Sequence, residues 1–138
     1  MLTDNHRIWL ARFLIGAVTF MNVQSALTFL YRPEAYVAGF ELSGAVGVAT
    51  LRGIAILFLM WNVPYVVATV NPIKYRVSHY EAVAMQTIGL VGESILLLNL
   101  DTNHIALQTT VTRFVIFDAL GLGALLLAVF ITRKVRKD

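Results

Sequence analysis

Apolar positions in this chain gather into four long runs and do not alternate with polar ones. The runs cover residues 8–30, 43–70, 80–100 and 105–132. Each has at least 20 residues, enough to cross a hydrocarbon core about 30 Å thick as a helix. Lipid offers backbone groups no outside partner, so helices are the expected form. The pattern predicts an all-α polytopic membrane protein, one domain over residues 1–138. Short connections predict an antiparallel four-helix transmembrane bundle. The second and fourth runs exceed the core thickness and are expected to tilt or project.

The connection over residues 31–42 carries its own signals. Pro33 suits a first helical position, Glu34 complements a helix N-terminus, and Gly39 can end a helix. With Ala35, Tyr36, Val37, Ala38 and Phe40 this predicts a short interfacial helix between spans 1 and 2.

Lys and Arg set the expected orientation. Arg7, Arg12, Lys74, Arg76, Arg133, Lys134, Arg136 and Lys137 fall on one side of the predicted membrane, and Arg32 alone on the other. Basic residues collect on the cytoplasmic side, which predicts both termini inside, in a prokaryotic inner membrane. The first run is too long for a signal h-region and holds Arg12, so a retained span is expected. Trp9, Tyr65, Tyr75 and Tyr80 are expected near the inner interface, and Phe29, Tyr31, Tyr36 and Phe40 near the outer one.

Composition agrees. Charged residues are 14% of the 138, against about 25% in an average soluble domain, and the mean hydropathy is +0.73. The net charge of +3 reads as membrane anchoring beside anionic lipid, and no nucleic-acid partner is expected. Cysteine is absent, which removes disulfides and thiolate metal sites. His6, His79 and His104 fall at or beyond predicted helix ends, so no metal centre is expected. Neither a phosphate loop nor a dinucleotide fingerprint is present, and no cofactor is expected.

The informative residues are ionisable groups inside the runs: Arg52, Glu93, Arg113 and Asp118. Each costs roughly 2.5–3.5 kcal/mol near a helix centre on insertion scales, so all four are expected to face inward. Counting from the span ends puts Arg52, Glu93 and Arg113 at similar depth in the outer half, with Asp118 about one and a half turns deeper. Asn22 and Gln24 join that outer layer. On the third span Ala82, Gln86, Gly89 and Glu93 share a face. On the fourth, Asp118, Gly121 and Leu125 share one, while Arg113 points about 140° away from Asp118. The expected pairing is Arg52 or Arg113 with Glu93, as a buried ion pair, and Asp118 with whatever basic or amide group remains. The surplus donors on Arg52, Arg113, Asn22, Gln24 and Gln86 suit a carboxylate or phosphate ligand. In the second span Pro64 lacks an N–H and is expected to kink the helix, with Asn62 facing a backbone group or a cavity.

One stretch has a family likeness. Arg32-Pro33-Glu34, Gly39-Phe40-Glu41-Leu42-Ser43-Gly44 and Leu51-Arg52-Gly53 together resemble the DoxX-like superfamily, especially its DUF4345-type members. The resemblance covers roughly the first 60 residues. It implies a four-span fold, with Arg52 as the position carried over. Some relatives are accessory subunits of membrane oxidoreductases.

Three readings of function stay open. The first is an interior site that binds or moves a small anionic or polar ligand or a proton, built from Arg52, Arg113, Glu93, Asp118, Asn22, Gln24, Gln86 and Asn62. The second is an accessory subunit that meets a partner membrane protein or a second copy of itself. The third is an intramembrane enzyme acting on a lipid, quinone or isoprenoid, with Glu93 or Asp118 as general acid or base.

Overall fold

The computed structural model describes residues 3–133 and Val135. Lys134, Arg136 and Lys137 of the basic tail lie outside the described residues. The described residues are all-helical: α1 (Asp4–Tyr31), α2 (Gly44–Trp61), α3 (Val63–Val70), α4 (Arg76–Asn99) and α5 (Ile105–Thr132). Taking α2 and α3 together, four helices are long and apolar enough to cross a membrane. At most 28% of the most apolar stretch of any of them is buried, and large apolar residues such as Phe13, Phe20, Ile88, Leu98 and Leu120 are exposed.

Local sequence explains where the helices begin and end. Thr3 caps α1 by accepting from the His6 amide, and Asp4 complements the dipole in the first turn. The Asn71 side chain accepts from the amides of Ile73 and Lys74, and this tight turn lets α4 start at Arg76. His79 therefore lies inside α4. It sits in the first turn, at the helix end the pattern predicts, but is 2% exposed with Nε2 3.2 Å from the Leu125 carbonyl. Within the helices, Thr19, Thr50, Thr69, Thr87 and Thr132 donate to the carbonyl four residues back, which satisfies hydroxyls in apolar surroundings.

The predicted interfacial helix is replaced by two 3-10 turns, Pro33–Ala35 and Val37–Phe40. Pro33 and Gly39 punctuate too short a stretch for an α-helix, and Val37 and Phe40 are drawn into the core. Thr110 of α5 donates to the Gly39 carbonyl at 2.6 Å and pins the turns. Glu41 follows in the left-handed region at φ 54°, and Gly44 at φ 61° opens α2 where a side chain would be strained.

Packing is uneven around the bundle. Helix α1 contacts α2, α3 and α5, and α5 packs along α4. Helix α3 packs against α4, whereas α2 has no comparable contact with it. Two clusters form the core. One joins Ile15, Val18, Tyr65 and Leu125 to the fully buried alanines Ala11, Ala68, Ala82 and Ala128. Small residues there let the helix backbones approach closely. The other gathers Phe29, Leu51 and Ala55 with Phe40, Phe58 and Phe114. Phe29 meets Tyr36, Phe40 and Phe114 edge-on at 5.2–6.3 Å between ring centroids, so it is core and not the interfacial anchor its position predicts.

Candidate functional site

Where α2 stands away from α4, a cavity of about 570 Å³ lies between the two core clusters. Every helix contributes to its wall. Phe58, Trp61, Phe114 and Phe117 make the wall largely aromatic, and Met85 and Ile88 add apolar surface. Trp61 and Ile88 are 48% and 71% exposed and mark its open edge.

The break between α2 and α3 shapes this space. Pro64 has no amide to offer the Met60 carbonyl, so the helix is interrupted at Asn62. Asn62 bridges the break: its amide and its Nδ2 both donate to the Phe58 carbonyl, at 3.1 and 2.7 Å. The side chain is 5% exposed, and its Oδ1 is buried with no partner.

A directional hydrogen-bond chain forms one side of the cavity. Tyr65 Oη donates to Gln86 Oε1 at 2.7 Å, and Gln86 Nε2 donates to Asp118 Oδ1 at 2.9 Å. The chain ties α3 to α4 and α4 to α5. Two glycines make room for it. A Cβ on Gly121 would meet Gln86 Nε2 at 2.7 Å, and one on Gly89 would collide with Asp118 Oδ2. Two turns along α4 from Gln86, Glu93 also lines the cavity, and its Oε2 is buried without a partner.

Among the sequence candidates, Asn22, Asn62, Gln86, Glu93, Arg113 and Asp118 all line this cavity. Arg52 and Gln24 do not. Arg52, the position the DoxX-like resemblance carries over, is exposed on α2. Gln24 is exposed in a groove along α1 beside Phe20 and Tyr31. Four inward charges are therefore not found, and Arg113 sits at the cavity edge with its side chain exposed. Among the described residues no ion pair joins Arg52 or Arg113 to Glu93 or Asp118. Arg52 falls one residue after Leu51, which takes the buried position on that turn of α2. The long arginine stem can carry its charge outward along an apolar surface, so no buried partner is required.

Tyr65 is the residue that sequence reasoning misplaces most. It is 3% exposed and donates into the site, where an interfacial ring is expected. Ser25 and the four aromatic residues of the wall are likewise missed, because single apolar or hydroxyl residues carry no motif.

The ends of the helices are pinned by long polar side chains. Arg12 Nε donates to the Thr69 carbonyl at 3.1 Å while its guanidinium lies 4.3 Å over the Trp9 ring. Arg76 Nη2 reaches the Thr132 carbonyl at 3.4 Å. Elsewhere His104 Nδ1 pairs with Glu41 Oε2 at 2.5 Å, and Glu41 Oε1 accepts the Leu107 amide in the first turn of α5. His104 lies above its ordinary pKa of 6.5, first because Glu41 accepts from it. Glu41 lies below its ordinary 4.5, first because of the same bond.

No protein-family model, curated protein or solved structure matches this chain.

Proposed function

We propose that this chain is a small integral membrane protein that binds a ligand in the cavity between α2 and α4, reached sideways from the bilayer. The cavity carries the reading. Its volume of about 570 Å³ falls within the range of small-molecule sites, and an apolar wall with a few convergent polar groups is how such sites are built. Two of those groups, Asn62 Oδ1 and Glu93 Oε2, have no protein partner. Buried polar atoms are normally paired, so these favour an occupied site over a purely structural polar layer.

The membrane setting is an antiparallel bundle with both termini cytoplasmic. The bias of Lys and Arg supports that orientation. Arg12 on the start of α1 reaching the end of α3, and Arg76 on the start of α4 reaching the end of α5, support the antiparallel order. In that setting Trp61 and Ile88 face lipid, and the opening lies where an amphipathic molecule would already be dissolved.

Native mass spectrometry on protein released gently from its own membrane tests the reading. A small molecule should remain bound to the wild type and be depleted in Asn62→Leu, which removes one of the two unpartnered acceptors of the cavity. A bare chain in both, or a co-purifying protein with no small molecule, would overturn it. The latter result would favour the accessory-subunit alternative.

A further inference from the structure

We infer that the ligand is an amphipathic amine: an apolar body with a hydrogen-bond-donating ammonium head, held by Glu93. The inference rests on the cavity being a ligand site and adds the chemical class. Sequence reasoning points to an anion because two arginines are expected inside. The structure changes that balance. Arg52 lies outside the cavity, and Arg113 stands exposed at its edge. Two carboxylates, Glu93 and Asp118, line the wall.

The unpartnered atoms point the same way. Asn62 Oδ1 and Glu93 Oε2 are both acceptors. An anion brings more acceptors and leaves them unsatisfied, whereas an ammonium brings three donors and a positive charge. The donors on the buried side chains of the site are already committed, while Asn22, Ser25, Trp61 and Arg113 line the cavity with more exposed side chains. Tyr65 Oη and Gln86 Nε2 run toward Asp118, and Asn62 Nδ2 is turned to the Phe58 carbonyl. Asp118 thus has its Oδ1 occupied by Gln86, which leaves Glu93 as the carboxylate with a free buried oxygen.

The wall suits the rest of such a molecule. Phe58, Trp61, Phe114 and Phe117 present rings to the cavity, and aromatic faces attract cations as well as apolar groups. Charge-assisted bonds between ammonium and carboxylate are roughly twice as strong as neutral ones. Glu93 therefore discriminates by charge, and the aromatic wall accepts varied bodies.

The test uses the full chain in lipid nanodiscs. The sequence has two tryptophans, Trp9 and Trp61, so Trp9→Phe leaves the cavity residue as sole reporter. Trp61 emission is titrated with 4-phenylbutylammonium, 4-phenylbutanol and 4-phenylbutyrate, with empty nanodiscs correcting for partition. The ammonium should saturate the signal at least about tenfold more tightly than the carboxylate. Glu93→Gln should weaken the ammonium by about tenfold and the alcohol by less than about twofold. Carboxylate binding as tight as the ammonium, or an ammonium affinity indifferent to Glu93→Gln, would overturn the amine assignment while the cavity stands. Saturation by none of the three would overturn both. The wild-type probe series decides the point even where Glu93→Gln fails to fold.

Discussion

Gln86 Nε2 donates to Asp118 Oδ1 at 2.9 Å, and each side chain rests on a glycine of the other's helix. The arrangement is reciprocal. Gln86 and Gly89 are three apart on α4, and Asp118 and Gly121 are three apart on α5. Each polar group therefore crosses the seam into the space left by a missing Cβ. This places a carboxylate between helices with its partner supplied from within the fold.

Removing the middle of the chain should be costly. Gln86→Leu leaves the Tyr65 hydroxyl and Asp118 Oδ1 without their partner. A buried polar group left unmade costs about 1–3 kcal/mol, against about 0.6 kcal/mol for an average interhelical bond in a membrane. Unfolding in mixed micelles should show a loss in the upper range. Tyr65→Phe, which removes one end only, should lose less.

Glycine replacement separates packing from propensity. Gly121→Ala should push the Gln86 amide off Asp118 and destabilise by about 1 kcal/mol, the net worth of one hydrogen bond. Gly53, Gly92 and Gly123 have open space where a Cβ would go. Alanine there should be neutral or stabilising by up to about 1 kcal/mol through helix propensity. Thermal unfolding of the four single variants checks the contrast, and equal effects would remove the reciprocal seam from the account.

Asn62 should trade stability against binding. Its Oδ1 is buried without a partner, so Asn62→Leu removes an unsatisfied acceptor. The ligand-free protein should gain about 1 kcal/mol or more. Ligand retention after extraction should fall in the same variant. A variant that is less stable and binds normally would make Asn62 a purely structural cap.

The Glu41–His104 pair predicts a pH window. The raised pKa of His104 adds stability that is complete below pH 6.5 and is lost as the pH climbs through the folded value. The lowered pKa of Glu41 adds stability that is present above pH 4.5 and is lost as the pH falls through its folded value. The difference in melting temperature between wild type and His104→Ala should peak between about pH 4.5 and 6.5 and shrink on both sides. A flat difference would leave only the Glu41 bond to the start of α5.

Much of this was legible before the structure, for identifiable reasons. Long apolar runs reveal helices because lipid leaves the backbone no alternative. The face of Ala82, Gln86, Gly89 and Glu93 follows from helical spacing, and all four residues are buried or line the cavity. Arg52 was not legible, because a one-residue step on a helix turns a side chain by about 100° and its stem can reach outward. Tyr65 was not legible either. Its ring fits an interface as well as a core, and only the break at Asn62 brings α3 against α4. The 3-10 turns over residues 33–40 depend on contacts with α5, such as Thr110 to Gly39, that local sequence does not carry.

The central claim is that a ligand occupies the space between α2 and α4, and a reversible clamp tests it most directly. The chain has no cysteine, so the Trp61→Cys, Ile88→Cys double variant carries the only two thiols. These positions stand at the open edge of the cavity on α2 and α4. A reducible bifunctional cross-linker is closed across them in nanodiscs, and binding of radiolabelled 4-phenylbutylammonium is measured before and after reduction. Binding should be lost on closure and return on reduction, and treatment of either single variant should lower it far less than closure does. Undiminished binding in the closed state would contradict the claim that ligands reach the cavity between these two helices.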